Sequence, residues 1–329
     1  MDDEIKAPLV SVVCLTYNQE RYIAETLEGF VRQQTNFPFE IIVHDDASTD
    51  STPSIIATYA QKYPGLVRVI LQRENQYSQN VRMPAILFAA ARGELIAYCE
   101  GDDFWTAPNK LQMQVDMLRS RADVGVVFTD KNVLHQETGT LIRNYDKVTR
   151  SRIPTGDVRR VLLLMNPYCA CTAMFRADLV KGYEVFAEKL NAKMDDWVMW
   201  LTIAKTSGVE YISCATATYR VLRESVSHSR SVFKNIRSLR SKYRISNYFN
   251  QAYGFILSDA AIKQSHHRDM LDRSVRFHKW RAAFNRKHSH WELFRCVVLH
   301  WVKKCASNIP LAYRLASMGR RAMDRRGGA

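Results

Sequence analysis

Residues 94–105 read "ELIAYCEGDDFW". Leu95 to Cys99 suit a buried β-strand. Glu100, Asp102 and Asp103 follow at once, and Phe104 and Trp105 close the stretch. Like charges this close repel one another unless a cation joins them. Gly101 lets the backbone turn tightly beside a ligand. A hard divalent cation needs oxygen donors, and Mg2+ is commonly held by one or two carboxylates while phosphate oxygens complete its shell. The turn therefore reads as a cation site at the mouth of an apolar strand. The competing reading is a solvated turn with helix-capping acids, against which the apolar strand and the Phe-Trp pair argue.

Working outward, the same alternation recurs. "LVSVVCLTY" (9–17) is a β-rich run, and "QERYIAETLEGFVRQQ" places Ile23, Leu27, Phe30 and Val31 at helical spacing. "FEIIVHDDAS" (39–48) is a second strand ending in two acids. A helix follows, with Thr52 expected as its N-cap, Pro53 as its first residue and Pro64-Gly65 as its stop. "VRVILQ" (67–72) is a third strand, 83–92 a helix, and the opening stretch the fourth strand. "PNKLQMQVDMLRS" is a helix and 124–134 a fifth strand. Continuous apolar strands alternating with helices predict an α/β fold whose mostly parallel central sheet is covered on both faces. Ligands bind such sheets beyond the carboxyl ends of the strands. Thr16-Tyr17-Asn18, Asp45-Asp46 and Glu100-Gly101-Asp102-Asp103 all end strands, so a parallel sheet brings them to one edge. Further on, 167–180 reads as a strand feeding a short helix, 193–206 as a helix opened by acid, and 209–229 as one or two strands.

Three segments in this order carry a resemblance: "VSVVCLTYNQERYIAETLEGFVRQQ", "FEIIVHDDASTDST" and "ARGELIAYCEGDDFW", with "MDDWVMWL" beyond them. Together they resemble the family 2 glycosyltransferases, which have the nucleotide-sugar-binding GT-A fold, over about residues 8 to 230. The resemblance implies a UDP-sugar donor bordered by Thr16, Tyr17, Asn18 and Glu20, with Asp45 on the base. It implies Mg2+ or Mn2+ on the donor diphosphate, with Asp102 as main ligand. Glu100 stands at the first acidic position of the family's DxD motif, where Asp is usual, and Asp103 orients the metal shell or the sugar. Asp196 matches the catalytic base, which takes the proton of an acceptor hydroxyl in a single inverting displacement. Asp195 is the second choice, since neighbours on a helix point about 100° apart. The reading that both acids only complement the helix dipole stands beside this. Arg82, or Arg73, is expected on the diphosphate, and His228 over the metal or diphosphate, with Tyr219 and Arg220 as further candidates. Trp105 and Trp197 are candidates for stacking on a sugar face, whereas Trp200 reads as core. No glycine-rich phosphate loop follows the first strand, which argues against a nucleotidyltransferase. No GxGxxG is present, which argues against a dinucleotide-binding dehydrogenase. A non-catalytic membrane scaffold with a transferase-like body is the remaining alternative.

The net charge of +14 over 329 residues is unevenly spread. Residues 230–329 hold 22 Lys and Arg against 5 Asp and Glu, whereas residues 1–229 carry a net charge of −3. The chain thus divides into a transferase domain, 1–229, and a basic, aromatic-rich helical region, 230–329. Basic helices carrying aromatics suit an anionic membrane surface, and the family resemblance favours a saccharide or lipid-linked saccharide acceptor there. A plain helical cap is the next reading, and nucleic acid the least supported, because no compact nucleic-acid motif accompanies the charge. There is no long uninterrupted apolar run, and the acidic start lacks a signal peptide's basic region. A cytoplasmic location, at the inner face of the plasma membrane, is expected. The 7 cysteines match no zinc spacing and are expected as buried thiols.

Overall fold

A computed structural model describes residues 7–150, 152–223 and 232–266. Two compact units, Met1–Met270 and Leu271–Ala329, divide the chain, and every described residue belongs to the first. Its strands are β1 (Val10–Thr16), β2 (Phe39–Asp45), β3 (Val67–Leu71), β4 (Leu95–Glu100), β5 (Phe104–Trp105), β6 (Val124–His135), β7 (Thr140–Ile142), β8 (Met174–Arg176) and β9 (Gly208–Val221). Its helices are α1 (Ile23–Val31), α2 (Thr52–Lys62), α3 (Met83–Ala90), α4 (Lys110–Ser120), α5 (Tyr145–Thr149), α6 (Arg159–Leu162), α7 (Tyr183–Lys189), α8 (Asp195–Ile203) and α9 (Val232–Ala252).

One 9-stranded sheet runs in the order β3-β2-β1-β4-β8-β6-β9-β5, with β7 on β6. β1 to β4 are mutually parallel, and their register pairs Thr16 with Asp45 and Leu15 with Glu100. The expected convergence of strand ends is thus present. Beyond β4 the sheet is mixed. β8 enters antiparallel to both β4 and β6. β6 and β9 pair in parallel with register shifts at Thr129/Asp130 and Asp130/Lys131, bulges of the kind that bend a long strand.

Strand side chains alternate between two apolar layers. Val13, Ile42, Ile96 and Tyr98 face the layer holding Leu87, Leu162, Tyr183 and Trp200. Val12, Cys14, Ile41, Val43, Ala97 and Cys99 face the layer of α1, α2 and α4. Period-2 strands with both faces apolar require such double cover. α1 buries Ile23, Leu27 and Phe30 completely, which is roughly 5–9 kcal/mol of gross burial as an upper estimate. α9 joins the first layer through Ile245 and Phe249. Its Tyr248 and Phe249 rings lie 5.7 and 6.3 Å from Phe186 of α7. These aromatics, read from the sequence as part of a membrane-facing region, pack on the body. Among the described residues no helix is long and apolar enough to cross a membrane.

Candidate active site

The loops after β1 and β2 are laced together. Asn18 adopts a left-handed conformation, φ 52°, which Asn tolerates better than most residues. Its backbone N–H donates to Ser48 Oγ at 2.8 Å, and its side-chain carbonyl accepts the Thr49 N–H at 2.8 Å. Glu20 accepts the Ser51 N–H at 2.9 Å. The Thr52 hydroxyl, expected to cap its own helix, instead accepts the Gln19 N–H at 2.8 Å. Asp50 satisfies the Thr52 N–H at 2.9 Å, and α2 therefore starts one residue earlier than expected. Asp45 is 1% exposed and accepts both the N–H and the hydroxyl of Ser48, at 2.9 and 2.5 Å. Thr16 is buried, whereas the Tyr17 ring stands 46% exposed at the loop tip.

The acid turn lies against this pair of loops. The Gly101 N–H donates to Leu15 O at 2.8 Å. A Cβ on Gly101 would come within 2.4 Å of Gln19 Oε1 and 2.9 Å of Thr16 Oγ1, so only glycine lets the turn close. Thr26 ties the turn from beneath, donating to Gly101 O and Asp103 O at 2.9 and 2.6 Å. Arg220, 4% exposed, braces it from β9. Its backbone N–H donates to Asp103 Oδ1 at 2.7 Å and its Nε to Asp102 O at 2.7 Å. Its remaining guanidinium nitrogens reach Gln136 at 2.8 Å and Glu25 at 2.6 Å. The Tyr22 and Phe104 rings hold the guanidinium at 4.9 and 4.7 Å.

Burial and mutual repulsion disfavour the charged forms of these carboxyls. Glu100 reaches solvent at the end of β4, yet desolvation by the surrounding protein, and then the charges of Asp102 and Asp196, push its carboxyl up to about 8. Burial likewise raises Asp102. Asp103 is raised well above the carboxylate range by burial and by Asp102. Thr16 Oγ1 and Gln19 Oε1 are buried beside the turn with no hydrogen-bond partner. Clustered carboxyls whose ionisation only a cation would favour, and orphaned polar oxygens beside them, fit a hard divalent cation.

α8 brings the second pair of acids. Asp196 is half-buried, and Asn166 donates to its Oδ2 at 2.9 Å. Burial pushes its carboxyl up to about 6, and it lies within electrostatic reach of Glu100. Asp195 pairs with Arg82 at 2.9 Å. Burial raises its carboxyl, and the Arg82 charge opposes that shift. Arg82 also donates to Ala192 O and Ala187 O at 2.8 and 2.9 Å. Arg82, expected on a donor diphosphate, is thus committed to the segment that leads into α8, and Asp195, the second candidate base, is its ion-pair partner.

Other expectations change. Trp105 donates Nε1 to Cys171 O at 2.9 Å and packs edge-on to Phe30 at 4.6 Å. Trp197 donates to Leu162 O at 2.8 Å. Both indoles, expected as sugar platforms, are core side chains, as Trp200 is. Arg220 is a brace of the turn, with its guanidinium fully engaged. Arg73 is exposed. His228 lies outside the described residues. Asn166, Gln19, Glu25 and Gln136 join the site without any sequence expectation. Of these, only Gln19 lies beside expected residues, between Asn18 and Glu20 in the loop after β1.

Comparison with known proteins gives the following. The profile "Glycosyl transferase family 2" matches residues 11–183. An uncharacterized Mycobacterium tuberculosis protein is 47% identical over 128 residues, covering 39% of this chain and 36% of the mycobacterial one. The chain thus spans little more than a third of that relative. EpsE of Bacillus subtilis, named as a glycosyltransferase, is 30% identical over 233 residues, covering 69% of this chain and 77% of EpsE. The Escherichia coli UDP-Glc:alpha-D-GlcNAc-diphosphoundecaprenol beta-1,3-glucosyltransferase WfgD is 24% identical over 233 residues, 70% of this chain and 83% of WfgD. Residues 1-349 of Staphylococcus aureus TarS with UDP-GlcNAc superpose with a TM-score of 0.53 at 19% identity, covering 82% of this chain and 73% of that TarS fragment. The Pyrobaculum calidifontis mannosyltransferase PcManGT, with GDP-Man and Mn2+, gives 0.51 at 18% identity, covering 95% and 84%. These two likenesses establish the GT-A-like α/β fold. With the profile spanning more than half of the chain and EpsE aligned over most of its own length, the chain belongs to glycosyl transferase family 2.

Proposed function

We propose that this chain is an inverting, metal-dependent glycosyltransferase that moves a sugar from a UDP-sugar to a hydroxyl of a glycan or lipid-linked saccharide in surface polysaccharide synthesis. The observation that carries this reading is that Asp196 lies within electrostatic reach of Glu100 at the end of β4. One carboxyl is tuned to about 6 and held by Asn166, beside a turn built from Glu100, Asp102 and Asp103.

Each residue has a role in this reading. Thr16, Tyr17, Asn18 and Glu20 border the nucleoside, with Tyr17 exposed for the base and Asp45 beneath it. Asp102, with Glu100, would hold Mn2+ or Mg2+, which supplies charge neutralisation to the donor diphosphate when bound. Asp103 and Arg220 keep the turn in place. Asp196 accepts the acceptor hydroxyl proton as that oxygen bonds to the anomeric carbon. The bond from that carbon to the diphosphate oxygen breaks with its electron pair, and the configuration inverts. A base near pKa 6 is largely ionised at neutral pH yet basic enough to take the proton. WfgD, by its name, uses UDP-Glc and a diphosphoundecaprenol-linked sugar, which supports a lipid-linked acceptor here. The basic residues beyond the described region, 15 Lys and Arg against 4 acids over 267–329, support attachment to the anionic inner face of the plasma membrane.

The test is a nucleotide-sugar hydrolysis screen on the full chain with and without Mn2+. Metal-dependent turnover of a UDP-sugar, lost in Asp102→Ala, is expected. Turnover equal in EDTA, or equal in Asp102→Ala, refutes the assignment.

A further inference from the structure

We propose that Asp103, Cys169 and Cys171 form a second metal site, for a thiophilic divalent cation of the Zn2+ class, separate from the hard-cation site at Asp102. The Asp103 carboxylate and the two thiols offer ligand atoms that all lie within 4.8 Å of one another. The sulfurs are 3.5 Å apart and form no disulfide. A tetrahedral ion with Zn–S bonds of about 2.3 Å separates two sulfurs by roughly 3.8 Å. The observed spacing is thus within a few tenths of an ångström of the bound one.

The scaffold of these ligands is pinned. The 3-10 turn Ala170–Thr172 is closed by the Thr172 hydroxyl on Cys169 O at 2.8 Å. Trp105 Nε1 holds Cys171 O at 2.9 Å, and Gln114 holds Thr172 O at 2.8 Å. Asp103 is fixed by its bond from the Arg220 N–H. Cys171 and Asp103 are 1% and 2% exposed, while the half-buried Cys169 leaves a way in. The backbone around the two thiols is held by these bonds, which lowers the conformational entropy lost on binding.

Charge supplies an independent observation. The Lys110 ammonium is fully buried. It donates to Gln114 Oε1 and lies 4.3 Å from the Trp105 ring centroid. No carboxylate forms an ion pair with it among the described residues, and burial brings its pKa down to about 7, so it is poised between the neutral amine and the ammonium. It lies within electrostatic reach of Cys171. A divalent ion bound by two thiolates and one carboxylate has a net charge of −1, which would favour the charged form of this amine. Binding displaces the two thiol protons, and the proton that burial favours on Asp103, to solvent and forms two metal–sulfur bonds and one metal–oxygen bond, with water in the fourth position. Two sulfur ligands select Zn2+ over Mg2+ or Mn2+. The inference does not depend on the transferase reading, since it invokes neither donor nor acceptor.

The experiment uses the full chain with Cys214, Cys296 and Cys305 changed to serine, in saturating Mg2+. Titration with Cd2+, a spectroscopic stand-in for Zn2+, reads the ultraviolet thiolate-to-cadmium charge-transfer band. A band saturating at one ion per chain is expected, lost in Cys169→Ser and in Cys171→Ser. With Zn2+, X-ray absorption at the zinc edge should report two sulfur neighbours, and the melting temperature should rise in the parent but not in Cys169→Ser. A parent chain with no saturable band, a band that survives both serine substitutions, or bound zinc without sulfur neighbours overturns the proposal. The parent titration decides the matter even if a serine variant fails to fold.

Discussion

Replacing Arg220 by Met should loosen the acid turn and lower donor affinity in one step. The substitution removes a charge-assisted bond to the Asp102 carbonyl at 2.7 Å, in a side chain that is 4% exposed. Such a bond contributes about 1.5–3 kcal/mol, and the neutral one to Gln136 about 1 kcal/mol. The Glu25 partner is 54% exposed, so solvent screening leaves that pair worth roughly 0–1 kcal/mol. The stacked Tyr22 and Phe104 rings add about 0.5–2 kcal/mol. Against these stands relief from burying a charge, and Met retains contact with both rings. The net cost should be about 3 kcal/mol, or roughly 6–12 °C in melting temperature for a unit of this size. Thermal scanning at a fixed rate measures the first effect, and calorimetric titration of UDP-sugar with Mn2+ the second. Arg220→Lys should recover only part of both, because an ammonium lacks the planar fork. An Arg220→Met chain with unchanged melting temperature and donor affinity would refute the brace.

Asp196→Asn should keep donor affinity within a few-fold while transfer falls by about 10²–10⁴, read as kcat against donor Kd. In the unaltered chain kcat/KM should rise with pH through about 6, because only the ionised carboxylate is a base and burial places its pKa there. Below that pH the rate should fall about tenfold per unit. Asn166→Ala removes a bond that favours the ionised form, so the kinetic pKa should move upward, costing rate at pH 6 and little at pH 8. Arg82→Met strands Asp195, whose side chain is 23% exposed. The expected loss in denaturant unfolding is about 2 kcal/mol, below the range for fully buried pairs, and Asp195→Asn in the same chain should restore part of it.

What the sequence disclosed was local. Apolar strands followed by polar ends at Thr16, Asp45 and Glu100 are visible residue by residue, and a parallel arrangement places those ends together without further information. The Asp195-Asp196 pair at the start of a helix was legible for the same reason. The partners of these groups were not. Arg220 lies 118 positions from Asp102, Arg82 lies 113 from Asp195, and Asn166 lies 30 from Asp196. No periodicity carries such distances. Arginine and tryptophan misled in opposite ways. Arg82 looked like an anion ligand because a guanidinium serves a carboxylate and a phosphate alike. Trp105 and Trp197 looked like sugar platforms, yet each satisfies its indole N–H on a backbone carbonyl within the core. The mixed half of the sheet was hidden because the strand read within 167–180 carries no local mark of direction, and β8 runs antiparallel to both of its neighbours.

The most direct test is calorimetric titration of a UDP-sugar into the full chain, in Mn2+ and in EDTA, repeated on Asp102→Asn. Saturable binding that needs Mn2+ and is lost or greatly weakened in the variant is the predicted result. Equal affinity in EDTA, or undiminished metal-dependent binding by Asp102→Asn, would contradict the assignment of the strand-end acids to the donor diphosphate.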